Sequence, residues 1–76
     1  MAKSGYNELA CASIQDNREI VISEFIDGGY TLAQRINVIE GERKTSVYMK
    51  NSIHIPSKDA LVNLRDALNT AIENIQ

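Results

Sequence analysis

Residues 44–76, KTSVYMKNSIHIPSKDALVNLRDALNTAIENIQ, carry two periodicities in succession, and the switch between them decides the fold. From Lys44 to Ile55 apolar positions alternate. Val47, Met49, Ile53 and Ile55 fall on one side with Thr45 and Asn51; Lys44, Ser46, Tyr48, Lys50, Ser52 and His54 fall on the other. Successive side chains of a strand point to opposite faces, so this period of two reads as a half-buried β-strand. Pro56 closes it, and Ser57 then has the chemistry of a helix N-cap, with Asp59 in the first turn where the helix dipole favours an anion. Leu61, Leu64, Leu68, Ile72 and Ile75 follow at helical spacing, with Ala60, Ala67 and Ala71 widening the stripe. No Gly or Pro interrupts this run, so one helix is expected to reach the C-terminus. An isolated helix of this length is marginal in water and must bury its stripe, against the sheet or against a second copy of itself.

Working back from Lys44, turn residues divide the chain at Asp16-Asn17, Asp27-Gly28-Gly29 and Glu40-Gly41-Glu42. Between them lie strands expected at Glu8–Gln15, Arg18–Ile26 and Tyr30–Ile39, and strands joined by such short turns run antiparallel. The expected fold is therefore α+β: a four-stranded antiparallel sheet followed by one C-terminal helix (β-β-β-β-α). Residues 1–7 read as a flexible tail and residues 8–76 as a single domain. In the second strand Ile20, Ile22 and Ile26 share the apolar face and Val21, Ser23 and Phe25 the outer one. In the third, Leu32, Ile36 and Val38 oppose Thr31, Ala33, Arg35 and Asn37. Glu24 and Gln34 fall on the apolar register. A bulge, a sheet that outruns its helix, or pairing across a subunit interface would each explain them.

At 76 residues the chain is too short to bury a large core, and domains of this size usually need a disulfide, a metal or self-association. Cys11 is the only cysteine and His54 the only histidine, so neither an internal disulfide nor a four-ligand zinc site can be built from them. A homodimer is the expected support, with Leu64, Leu68, Ala71, Ile72 and Ile75 at its interface. The lone cysteine fits a reducing, intracellular setting. The N-terminal residues have no signal-peptide character, and no apolar run is long enough to span a membrane. Net charge is −2, so any nucleic-acid site must come from a local cluster rather than a basic surface.

Such a cluster is present on the outer face. Arg35, Lys44 and Lys50 share it with Phe25, Tyr48 and the small polar residues Ser23, Asn37, Ser46 and Ser52. Cations follow phosphates and exposed rings stack on unpaired bases, which is the combination that single-strand binders use. The same face is also what any half-exposed antiparallel sheet presents to water. Catalysis finds no such cluster: there is no nucleophile–histidine spacing, no phosphate-binding glycine loop, and Cys11 has no neighbouring cation in sequence to activate it. A non-enzymatic protein without cofactors is expected.

The strand order, the segment KNSIHIPSKDALVNLRDAL and the terminal amphipathic helix resemble the positive cofactor 4 family of transcriptional coactivators. This family is related in architecture to the Whirly proteins and has bacterial and bacteriophage members. Lys50, Asn51, Ser52, Ile53, His54 and Ile55 match the end of the family's last strand, and Pro56 and Ser57 its helix start. Arg18, Phe25 and Gly28 match the second strand and its turn, and Arg35 the outward arginine of the third. The resemblance covers about residues 9–76. It implies a homodimer that binds single-stranded DNA with little base specificity, in replication, recombination or transcription, within a bacterial or infected host cell. The nucleic-acid-binding residues so expected are Arg18, Phe25, Arg35, Asn37, Lys44, Tyr48 and Lys50. The chain lacks the tryptophan frequent late in the family's third strand and has Asp27-Gly28-Gly29 where basic residues are common, which implies lower affinity or greater reliance on Tyr48 and Tyr30. The compactness of the chain favours a bacterial or phage version. A competing expectation is a small dimeric adaptor that docks a polymerase or recombinase without touching DNA.

Overall fold

The computed structural model describes residues 5–75. Among them five strands and one helix follow in the order β1 (Tyr6–Gln15), β2 (Arg18–Phe25), β3 (Tyr30–Glu40), β4 (Arg43–Tyr48), β5 (Ile53–Ile55) and α1 (Lys58–Glu73). The sheet is antiparallel with order β1-β2-β3-β4, and β5 pairs with β3 as well. The expected architecture is present, with one strand divided. β1 opens at Tyr6, inside the segment expected as a tail, because Tyr6 and Asn7 pair with Phe25 and Glu24. The remainder of that expected tail, residues 1–4, lies outside the described residues.

The turns form where their residues permit them. Asn17, at φ 62°, closes the two-residue turn between Gln15 and Arg18. Asn tolerates this left-handed conformation better than most side chains. Gly28 and Gly29, at φ 98° and 84°, close the β2–β3 turn, where Phe25 N–H donates to the Gly29 carbonyl and Gly28 N–H to that of Phe25. The turn therefore begins one residue earlier than expected, and Ile26 is an exposed turn residue rather than a member of the apolar face.

β4 and β5 occupy the same edge of β3. β4 pairs with Arg35–Glu40, ending at Arg35↔Tyr48, and β5 pairs with Tyr30–Leu32, beginning at Leu32↔Ile53. The four residues 49–52 thus lie opposite only Ala33 and Gln34. The break adds two residues, an even number, so the expected alternation survives on either side of it: Tyr48 and His54 remain on the face of Arg35 and Thr31. Within the break it fails, because Met49, expected beside Val47 on the apolar side, lines a depression with Tyr48 and Ala33.

The pairing of β2 with β3 runs without irregularity from Arg18↔Ile36 to Glu24↔Tyr30. A bulge is therefore not the reason for Glu24 and Gln34. Glu24 accepts a hydrogen bond from Asn7 Nδ2 at 3.0 Å, and the Gln34 carbonyl accepts from Met49 N–H at 2.9 Å, beside the strand break. The helix packs against β5, so the rest of the sheet outruns it.

Ser57 caps α1 as its sequence requires: its hydroxyl accepts from Ala60 N–H at 3.1 Å. Only the first turns of the helix meet the sheet. Leu61 and Leu64 are half-buried, whereas Leu68, Ile72 and Ile75 are 56%, 64% and 73% exposed. On the sheet, Val38, Val47 and Ile53 are likewise open to solvent.

Candidate nucleic-acid interface

One face of the sheet collects most of the residues with binding chemistry. Across the strands it carries Tyr6 and Glu8 from β1; Glu19, Val21, Ser23 and Phe25 from β2; Thr31, Ala33, Arg35 and Asn37 from β3; and Tyr48 from β4. A register shift between Glu8 and Ala10 leaves Leu9 unpaired and brings Cys11 onto the face that Glu8 occupies, opposite Val21.

Arg35 organises the middle of this face. Its Nη1 donates to Glu8 Oε1 at 2.9 Å and to the Tyr48 hydroxyl at 3.3 Å, and its Nε donates to Glu19 Oε1 at 3.0 Å. The register explains how residues in β1 and β3 can meet across β2. Glu8 lies beside Ser23 and Arg35 beside Glu19, so their ion pair runs diagonally over the residue between, Val21. Val21 is 1% exposed for that reason, although it belongs to the face expected to be solvated. Full burial of a valine contributes roughly 1.5–3 kcal/mol, so the polar strap doubles as the lid of a small core.

Hydrogen bonds extend the network. Glu19 also accepts from Asn37 Nδ2 at 3.2 Å and from Cys11 Sγ at 3.4 Å, and Asn37 Oδ1 accepts from Ser46 Oγ at 2.8 Å. The Arg35, Asn37 and Cys11 donors hold the Glu19 carboxyl below the usual carboxylate range. The bond to Glu19, together with desolvation, raises the Cys11 thiol above its ordinary value. Arg35 is raised further by Glu19, Tyr48 and Glu8. Its side chain is only 17% exposed. The cation expected to meet phosphate is thus already paired with two carboxylates.

The rings are arranged differently from the expectation as well. Phe25 is half-buried, with the Tyr6 ring 4.5 Å away and His54 at 6.0 Å. Tyr6, rather than Phe25, is the exposed ring at this end. Tyr48 is 54% exposed and lies 5.9 Å from the Arg35 guanidinium. Lys50 is exposed in the β4–β5 connection, and Lys44 is exposed in β4 opposite Ile39.

Two residues that the resemblance brought into consideration lie on the opposite face from Arg35. Arg18 pairs with Ile36 and alternates with Ile20 and Ile22 on the apolar side, so it does not join Arg35. Tyr30 pairs with Glu24 and Ile55 and shares that side. The face therefore brings together Phe25, Arg35, Asn37, Lys44, Tyr48 and Lys50, and leaves Arg18 out. Tyr6, expected in the tail, and Glu8, expected to open the first strand, also join it; the signal for Tyr6 was an aromatic able to pair opposite Phe25.

Among the described residues no cluster of His, Cys, Asp and Glu could hold a metal ion, and no helix is long and apolar enough to cross a membrane. Comparison with known proteins adds no family to this geometry: no family model, no curated protein and no solved structure matches the chain.

Proposed function

We propose that this protein is a homodimeric, non-enzymatic binder of single-stranded DNA, acting in replication, recombination or transcription, and related in design to the positive cofactor 4 family. The observation that carries this reading is the placement of two exposed tyrosines, Tyr6 and Tyr48, with Lys50 around one depression of an antiparallel sheet. Unpaired bases stack on such rings with little regard to sequence, while a lysine follows the backbone. The pairing of Arg35 shifts its role from phosphate contact toward holding Tyr48. Phosphate attraction then falls to Lys50 and Lys44, with modest affinity as the result.

Support for the dimer comes from surface area. The protomer exposes 6319 Å², whereas a monomeric protein of its mass exposes roughly 4,700 Å². The excess is of the size that obligate dimers bury, about 1,000–2,500 Å² per subunit. Leu68, Ala71 and Ile72 form an exposed stripe on α1, Leu64 continues it inward, and Ile75 follows beyond the helix, which ends at Glu73 rather than running on to the C-terminus. Fluorescence anisotropy of a labelled oligo-dT tests the DNA reading, which fails if no binding is seen at low salt.

The adaptor reading is favoured by one observation, the neutralisation of Arg35 by Glu8 and Glu19 on an already acidic chain. It becomes the better account if the anisotropy experiment fails while the dimer persists.

A further inference from the structure

The division of the fourth strand has a physical consequence for the outer face. Where β4 stops at Tyr48 and β5 begins at Ile53, the ladder beside β3 is interrupted over Ala33 and Gln34, with the Gln34 carbonyl still bonded to Met49 N–H, and the side chain at 33 is the smallest available beyond glycine. A cavity of about 470 Å³ opens there. Its floor is the sheet surface at Ala33, Ser23 and Thr31, and Tyr6 and Tyr48 line it together with the connecting residues Met49, Lys50 and Ser52. Thr31 is a buried polar residue on this floor. The volume falls within the roughly 300–1,000 Å³ range of sites that enclose small ligands.

From this geometry, and resting on the single-strand reading above, we infer that the cavity is a subsite for one nucleobase turned out of the strand. The base inserts between Tyr6 and Tyr48 over Ala33, and the phosphate beside it lies on Lys50. The chemistry of the lining supports a base rather than an aliphatic or peptide ligand. Tyrosine rings and the Met49 thioether offer flat or polarisable contact to a π-face. The hydroxyls of Ser23, Thr31 and Ser52 each donate or accept, so they can meet the edge of any base without selecting one. The cation stands at the connection, where a backbone leaving the cavity would pass. Arg35, held by Glu8 and Glu19, keeps Tyr48 at the margin by its bond to the hydroxyl.

The test compares binding of an oligo-dT with that of an abasic deoxyribose-phosphate oligomer of equal length. The wild-type protein should prefer oligo-dT by about tenfold, the contribution of one well-stacked base. Ala33→Leu, which fills the floor, should abolish most of that preference while leaving abasic binding and its salt dependence unchanged. An unchanged preference in A33L, folded by circular dichroism, overturns the subsite but leaves the single-strand reading standing. Failure of the wild type to bind either oligomer overturns both. Should A33L not fold, photo-crosslinking of wild-type protein to an oligomer containing 4-thiothymidine decides the matter. Crosslinks to Tyr6 or to residues 48–52 support the subsite, and crosslinks confined to other strands overturn it.

Discussion

Tyr48 stands directly across the β3–β4 ladder from Arg35, and the two side chains meet twice: Nη1 donates to the phenol oxygen at 3.3 Å, and the guanidinium carbon lies 5.9 Å from the ring centroid. A half-exposed ring fixed in this way has lost part of its rotamer freedom before any ligand arrives, which lowers the cost of binding.

Substitution at Tyr48 separates stacking from positioning. Tyr48→Ala should weaken binding of oligo-dT by roughly 1–3 kcal/mol, the worth of one stacked base. Its salt dependence should stay as in the wild type, because no phosphate contact is lost. Tyr48→Phe keeps the ring and loses only the bond to Arg35, so it should fall between the two. A Y48A protein that binds as tightly as wild type removes Tyr48 from the site.

Glu8 is the more revealing substitution, because it should improve the protein. Glu8→Gln retains an acceptor for Arg35 Nη1 and removes one of its two neutralising charges. Arg35 is then available to phosphate. Affinity for oligo-dT should rise several-fold, and the slope of log K against log salt should steepen by about 0.7, the counterion release of one added contact to a single strand. Unchanged affinity and slope would mean that Arg35 faces no phosphate even when freed.

Glu19 links this network to pH. Its carboxyl titrates below the ordinary 4.5 because Arg35, Asn37 and Cys11 donate to it. A depressed folded value means that the stabilisation is present above the unfolded value and is lost as pH falls through the lower folded one. The melting temperature should therefore drop below pH 4.5, and Glu19→Gln should flatten that acid limb. The same variant should also speed alkylation of Cys11, whose thiol Glu19 holds above its usual value despite its exposure. A scan of melting temperature against pH and a thiol-reagent time course check both effects.

Leu68 tests the assembly. It is 56% exposed on the protomer, so in a monomer Leu68→Asp would be close to neutral. In a dimer that buries the helical stripe, the aspartate would sit uncompensated at the interface. Sedimentation should then show dissociation, and thermal melts should show loss of fold with it, since folding and association are linked. A folded wild-type monomer at micromolar concentration contradicts the dimer.

The sequence made the element order legible because its signals were local. Ser57 caps the helix through a bond three residues away, and the turns at Asn17, Gly28 and Gly41 lie where positive φ is needed. Face assignment was legible for most paired residues, but Arg18 was carried into the expected site by the family resemblance alone, and its pairing with Ile36 puts it beside Ile20 and Ile22. The strand break was written in the polar run Lys50-Asn51-Ser52, but its two-residue excess left alternation undisturbed on either side and so left no trace in the pattern. The site's electrostatics were not legible. The Arg35–Glu8 pair joins residues 27 apart in sequence, across an intervening strand, and depends on a register shift at Leu9. Tyr6 was hidden for the same reason, since only its pairing with Phe25 identifies it as sheet rather than tail.

The central claim, that exposed rings on this sheet bind unpaired bases, is tested most directly by titrating the protein into labelled oligo-dT and into a duplex of equal length at several salt concentrations. Bases in a duplex are already stacked and cannot reach Tyr6 or Tyr48. The account predicts a preference for the single strand of about tenfold or more, retained as salt rises. Equal affinities that decay together with salt would contradict it and reduce the interaction to charge alone.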